Sequence, residues 1–259
     1  MPPRLVAVTG FKDSGKTRLV ELLTRELIER GHQVGVIKHT DQSHETDTPG
    51  KDTWRYRKAG AYASVFVTPV ESAYFFSSSP TLVEVIGRLG DADLILLEGF
   101  KKLDTVPKIL IARNPHDVEK LSSGLEIAVV GCDKRTTGRG APNREMQVEE
   151  VKSLASLVEE EAMPLLPGLN CGRCGYGSCK ELAIAAVKGH AETTRCLNLV
   201  TEGVQLTVDG KVVNINTFVG QVLRNVILAI VSTLKGVEAP TLVEVKLSST
   251  GEEGEGAKA

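Results

Sequence analysis

The sequence predicts an α/β fold: a mostly parallel sheet covered by helices, then a small four-cysteine module and a C-terminal ββαβ unit. Three observations carry this expectation. Short apolar runs alternate with helical-period stretches across residues 1–162, and such strands, apolar on both faces, mark a buried parallel sheet. The first run leads into the glycine-rich turn Gly10-Phe-Lys-Asp-Ser-Gly15-Lys16-Thr17. Cys171, Cys174, Cys179 and Cys196 then follow as C-x2-C-x4-C-x16-C.

Taken in order, Leu5–Thr9 is the first strand. Leu19, Leu22, Leu23, Leu27 and Ile28 recur at helical spacing up to Gly31, which supplies the stop. Gln33–Lys38 completes a βαβ unit. Further strands are expected at Ala63–Thr68, Leu94–Leu97, Lys108–Ala112 and Ile127–Val130, and helices at Trp54–Ala59, Leu82–Leu89 and Val148–Glu161. Thr40–Thr53 is polar and aperiodic, a long loop at the carboxyl end of the second strand, where open α/β sheets place their ligands. Met163-Pro-Leu-Leu-Pro-Gly168 reads as a linker into a cysteine module over 163–200. Alternating apolar residues around Asp209-Gly210 predict a hairpin, Asn216 a helix cap, and Thr241–Leu247 a further strand, giving the ββαβ unit over 201–247. The polar residues 248–259 are expected to be a disordered tail.

Composition narrows the partners. With 259 residues, net charge −2 and 4% aromatics, the chain has neither the basic excess nor the stacking surface of a nucleic-acid binder. Its N-terminus enters a strand directly and resembles no secretory signal. The longest apolar stretch, Val226–Val231, is too short to span a bilayer. The expected compartment is the cytoplasm, where grouped cysteines point to metal rather than disulfides. Cys132 stands apart and is expected to be a buried spectator.

The pattern G-x-x-x-x-G-K-T between a strand and a helix is a P-loop, so the parent fold is that of a P-loop NTPase. Backbone N–H groups of the loop formed by Gly10, Asp13, Ser14 and Gly15 would turn inward around phosphate oxygens, the helix N-terminus favours the anion, and Lys12 would contact phosphate of its own or a partner subunit. Lys16 would reach the β- and γ-phosphates, and Thr17 would ligate Mg2+. Leu94-Ile-Leu-Leu-Glu98-Gly99 is an apolar strand ending in a carboxylate, which makes Glu98 the candidate acid for the Mg2+ shell. No N-K-x-D guanine clamp occurs; Asp133, after a late strand, is the candidate for reading guanine. ATP and GTP both stay open on these residues.

The residues of the first unit resemble the molybdopterin-guanine dinucleotide biosynthesis protein B (MobB) family. The likeness rests on the P-loop, Gly35-Val-Ile-Lys38-His39, Asp47-Thr-Pro-Gly50-Lys51-Asp52-Thr-Trp-Arg55, Lys58-Ala-Gly60-Ala, Leu96-Leu-Glu98-Gly99-Phe100-Lys101, and Pro107-Lys108-Ile with Arg113. It implies a weakly hydrolysing, GTP-binding accessory protein. Its partner would be the enzyme that attaches GMP to molybdopterin, and its expected state a homodimer. Lys38 and His39 are then expected beside a phosphorylated ligand, and Asp47 or Asp52 at Mg2+ or at a water.

Four thiolates suit either zinc or a cubane cluster. Here three cysteines fall close together and the fourth is remote, whereas zinc sites more often pair two C-x2-C knuckles. Asn170-Cys-Gly-x-Cys-Gly-Tyr-x-x-Cys179 resembles the small [4Fe-4S] module of electron-transport complex subunits and corrinoid iron–sulfur proteins, which implies a [4Fe-4S] cluster and a redox partner. Two other functions remain in play: a nucleotide-gated electron-transfer protein and an NTPase inserting a metal cofactor.

Overall fold

In the computed structural model the described residues are 2–41, 45–131, 145–146, 150–199, 204, 206–208, 211–213, 215, 217–234 and 243–245. Asp133, Cys132, Asn216 and the tail 248–259 lie outside them.

The first unit is built on six strands: β1 (Arg4–Gly10), β2 (Val34–Lys38), β5 (Leu94–Glu98), β6 (Lys108–Ile111), β7 (Glu126–Val130) and β8 (Glu145–Met146). Their order is β2-β5-β1-β6-β7-β8, and every neighbouring pair is parallel. Side chains alternate across a strand, so β1 sends Val6 and Val8 to one core and Leu5 and Ala7 to the other. That is why its sequence is apolar throughout. The first core is covered by α1 (Lys16–Glu29) and α5 (Val151–Glu161), through Leu19, Leu23, Leu27, Leu154 and Val158. The opposite face carries α3 (Leu82–Gly87), with Leu82 and Ile86, and α4 (Pro115–Leu121), with Val118 and Leu121.

The strand expected at Ala63–Thr68 exists but does not join the parallel sheet. As β3 (Ala63–Val67) it pairs antiparallel with β4 (Ser72–Phe76), a strand that the sequence pattern does not announce. Turn chemistry decides this: the Thr68 hydroxyl accepts hydrogen bonds from the Val70 and Glu71 N–H groups and folds the chain back. Val65, Phe66 and Val67 are 46%, 56% and 69% exposed, so the run is apolar without being core. The helix α2 (Asp52–Lys58) packs beside this hairpin.

The expected linker is core. Met163 and Leu166 are buried, and Met163 exchanges backbone hydrogen bonds with Leu5 at the start of β1 (2.8 and 3.4 Å). Leu166 and Met163 join Leu125 and the module's Leu182, Ala183, Cys179 and Cys196 in one apolar cluster. The module's helix α6 (Cys179–Val187) is capped by Ser178, whose hydroxyl accepts from the Glu181 N–H. It therefore sits against the amino-terminal edge of the sheet, and the phosphate loop leaves the carboxyl-terminal edge.

Past the module, β9 (Leu206–Val208) and β10 (Lys211–Val213) form the expected hairpin, followed by α7 (Thr217–Val231). The third strand of the expected ββαβ unit is not seen among the described residues: 243–245 carry no strand.

Candidate functional site

Residues 10–17 connect β1 to α1. A Cβ on Gly10 would lie 2.6 Å from Ser14 Oγ and 2.8 Å from the Ile111 carbonyl, so the loop closes only around a glycine. The first turn of α1 has no side-chain cap, which leaves its N–H groups aimed out of the helix for an anion. Ser14 Oγ is buried with no hydrogen-bond partner among the described residues, an unmet donor inside the cradle that a phosphate oxygen would satisfy. Lys16 folds back, its Nζ donating to the Phe11 carbonyl at 2.5 Å. Burial, then the nearby Lys101, hold the Lys16 ammonium below its usual pKa, while Glu98 and Asp13 act the other way. Lys12 and Asp13 are exposed on the loop.

The parallel register sets Glu98 level with Val8 on one side and Lys38 on the other. Its buried carboxylate accepts from Thr17 Oγ1 at 2.8 Å and pairs with Lys38 Nζ at 3.1 Å; Lys38 Nζ also reaches Thr17 Oγ1 at 3.4 Å. A cation thus sits between the P-loop hydroxyl and the strand-end carboxylate. The Lys38 side chain is 61% exposed, whereas Glu98 is buried. A hydroxyl with a buried carboxylate is the donor set that suits Mg2+. His39 follows: its N–H donates to the Glu98 carbonyl at 2.9 Å and its ring lies 5.1 Å from Phe100.

The loop acids have local partners. Asp47 is buried, accepting from Thr53 Oγ1 and Arg57 Nη2, each at 3.0 Å, which pins α2 to the loop before it. Asp52 is exposed, 3.8 Å from Arg55 on its own helix. Sequence reasoning singles out neither Lys101 nor Arg113 as a site residue. Their charges lie 5.0 and 5.9 Å from the centroid of the Phe11 ring. The signal that could have found them is their place just beyond strands that flank the P-loop strand.

The cysteine site is assembled by a glycine-rich turn, the start of α6 and the 3-10 turn Thr193–Arg195. Cys179 and Cys196 are buried, Cys174 is half-buried and Cys171 is exposed. Donors point at the sulfurs: Asn198 Nδ2 to Cys171 at 3.1 Å, the Asn170 N–H to Cys179 at 3.4 Å, and the Asn198 and Leu199 backbone to Cys196. Such N–H···S bonds stabilise ligating thiolates. Burial pushes the Cys196 thiol up, and Cys179 and Cys174 add to this. Among the described residues no three His, Cys, Asp or Glu are gathered tightly enough to hold a single metal ion.

Comparison with known proteins bears on both sites. Residues 5–133 match the family described as "Molybdopterin guanine dinucleotide synthesis protein B". A "Putative molybdopterin-guanine dinucleotide biosynthesis adapter protein" of Methanocaldococcus jannaschii is 30% identical over 249 residues, 94% of this chain and 97% of that one. The chain belongs to the MobB family. The MobB fold extends to a solved structure, "The Crystal structure of Bacillus subtilis MobB", with TM-score 0.52 and 29% identity, covering 61% of this chain and 98% of that one. Residues 166–197 match a second family, described as "Putative Fe-S cluster". A 57-residue stretch is 40% identical to a component of the ion-translocating oxidoreductase complex of Rhodobacter capsulatus, covering 22% of this chain and 28% of that one. This MobB chain therefore carries an iron–sulfur-type domain. Among its described residues no helix is long and apolar enough to cross a membrane.

Proposed function

We propose that this protein is a GTP-binding adapter for molybdopterin-guanine dinucleotide formation, a slow GTPase that carries one [4Fe-4S] cluster. The observation that carries the nucleotide half is the convergence of Thr17, Glu98 and Lys38 beside an uncapped helix and the unpaired Ser14 hydroxyl. Lys16 neutralises phosphate charge, and Thr17 with Glu98 holds Mg2+ once Lys38 swings onto the phosphates. Bound Mg2+ supplies charge neutralisation on the β- and γ-phosphates. His39 lines the rim, and Asp133 is the residue assigned to guanine. Asp47 and Asp52 act through the conformation of their loop.

Cys171, Cys174, Cys179 and Cys196 hold the cluster. Support comes from the N–H groups directed at their sulfurs and from the match of this segment to an iron–sulfur family. The client is the enzyme that transfers GMP to molybdopterin. The protein acts in the cytoplasm as a homodimer, for which the exposed apolar face of the β3–β4 hairpin is the natural contact.

Magnesium-dependent titration with GTP and ATP tests this reading. Wild-type protein should prefer GTP, and Lys16→Ala should lose most triphosphate affinity. A wild-type-like Lys16→Ala would remove the phosphate loop from the function.

One observation favours a second reading, nucleotide-gated electron transfer to a redox partner. The strand β1 ends in the phosphate loop and begins on Met163, which packs with Cys179 and Cys196. The two sites are thus joined by one rigid strand, about 20 Å long at the usual rise. Cluster reduction whose rate depends on GTP would select it.

A further inference from the structure

We infer that Lys101 is a further phosphate-contacting residue, a cation directed at the terminal phosphate and held in place by the buried ammonium of Lys108. This rests on the nucleotide reading above. Beyond Glu98 the chain turns through Gly99 (φ +99°) and Phe100 (φ +48°). A Cβ on Gly99 would lie 2.7 Å from the His39 carbonyl, so the turn is pressed against the strand that supplies Lys38. It delivers Lys101 to the phosphate loop, its Nζ 5.0 Å from the centre of the Phe11 ring. The carbonyl of that same Phe11 receives the Lys16 ammonium. Both ammonium groups thus lie beside Phe11, and after burial, repulsion from Lys101 is the next cause that holds the Lys16 ammonium below its usual pKa. A polyanion between them turns that repulsion into attraction.

The turn is expensive to hold. Phe100 is a bulky residue in the left-handed region, a conformation that persists only where its surroundings enforce it. Enforcement comes from Lys108 at the start of β6, 2% exposed, whose Nζ donates to the Lys101 carbonyl at 3.0 Å. Fully buried lysines are rare because the charge loses its water. Glu126 and Asp104 offset part of that penalty here. An aliphatic residue would pack in the same place without the cost; what it lacks is the donor that fixes residue 101. Lys108 is thus a positioning residue. Arg113, also near the Phe11 ring, is paired with Asp117 at 3.0 Å.

Chemically, a fixed ammonium beside the last phosphate neutralises charge that a triphosphate has and a diphosphate lacks. In full-length protein, Lys101→Ala should weaken GTP binding about tenfold and lower kcat by at least about tenfold, while GDP affinity stays within about twofold. Lys101→Arg should preserve the GTP-over-GDP preference. Lys108→Met should lose that preference in the same direction with GDP affinity retained, a selectivity that general destabilisation does not produce. Two failures are separable. If Lys16→Ala binds both nucleotides normally, the nucleotide reading itself falls. If Lys16→Ala loses both but Lys101→Ala keeps the GTP-to-GDP affinity ratio and kcat, the Lys101 inference alone is overturned.

Discussion

Leu182→Ala tests whether the cysteine module and the nucleotide unit share one core. Leu182 is fully buried in one cluster with Leu125, Met163 and Leu166 and with Cys179 and Cys196 of the module. Removing its isopropyl group loses most of the transfer free energy of a buried leucine and leaves a cavity, together roughly 3 kcal/mol. At a urea slope of roughly 3 kcal/mol/M, the midpoint should fall by about 1 M. The assay is urea unfolding of anaerobically prepared protein, following cluster absorbance and the fluorescence of Trp54, the single tryptophan, which lies on α2 far along the chain. One core predicts that both transitions coincide and move together. A cluster transition that shifts while the Trp54 transition stays put would refute the reasoning and restore the independent module that the 163–168 linker pattern suggests.

Glu98→Gln should keep nucleotide binding but lose magnesium dependence and hydrolysis, because a neutral amide weakens the metal shell beside Thr17; titration with and without Mg2+ checks it. Serine at Cys171, Cys174, Cys179 or Cys196 should sharply reduce iron and sulfide content, since alkoxide oxygen replaces thiolate poorly. One zinc per chain without sulfide would sink the cluster assignment. His32 bridges Asp93 (2.7 Å) and Glu159 (3.0 Å), and the hydrogen bond to Asp93, with Glu159 adding to it, raises its pKa above 6.5. Its contribution is therefore complete below pH 6.5 and is lost as pH rises through the higher folded value. Thermal melts of wild type should fall over that window, and the fall should vanish in His32→Gln.

What the sequence determined by itself is what local pattern encodes. The phosphate cradle is eight consecutive residues whose backbone does the binding, so glycine spacing and a following helix announce it. The cysteine turn and the strand ending in Glu98 are legible for the same reason, and apolar runs buried on both faces show a parallel sheet before any pairing is known. Tertiary structure decided everything that depends on which strands become neighbours. Only the β1–β5–β2 register brings Glu98 to Thr17 and Lys38, residues 81 and 60 positions away. Nothing local marks Asp47 as the partner of Arg57 rather than of a ligand, since a buried ion pair and a catalytic acid use the same side chain. An apolar run looks alike whether it enters the sheet or folds back at Thr68. Met163-Pro-Leu-Leu-Pro-Gly168 reads as a linker because prolines break helices, yet its leucines and methionine are held between two apolar surfaces that exist only once the chain has folded.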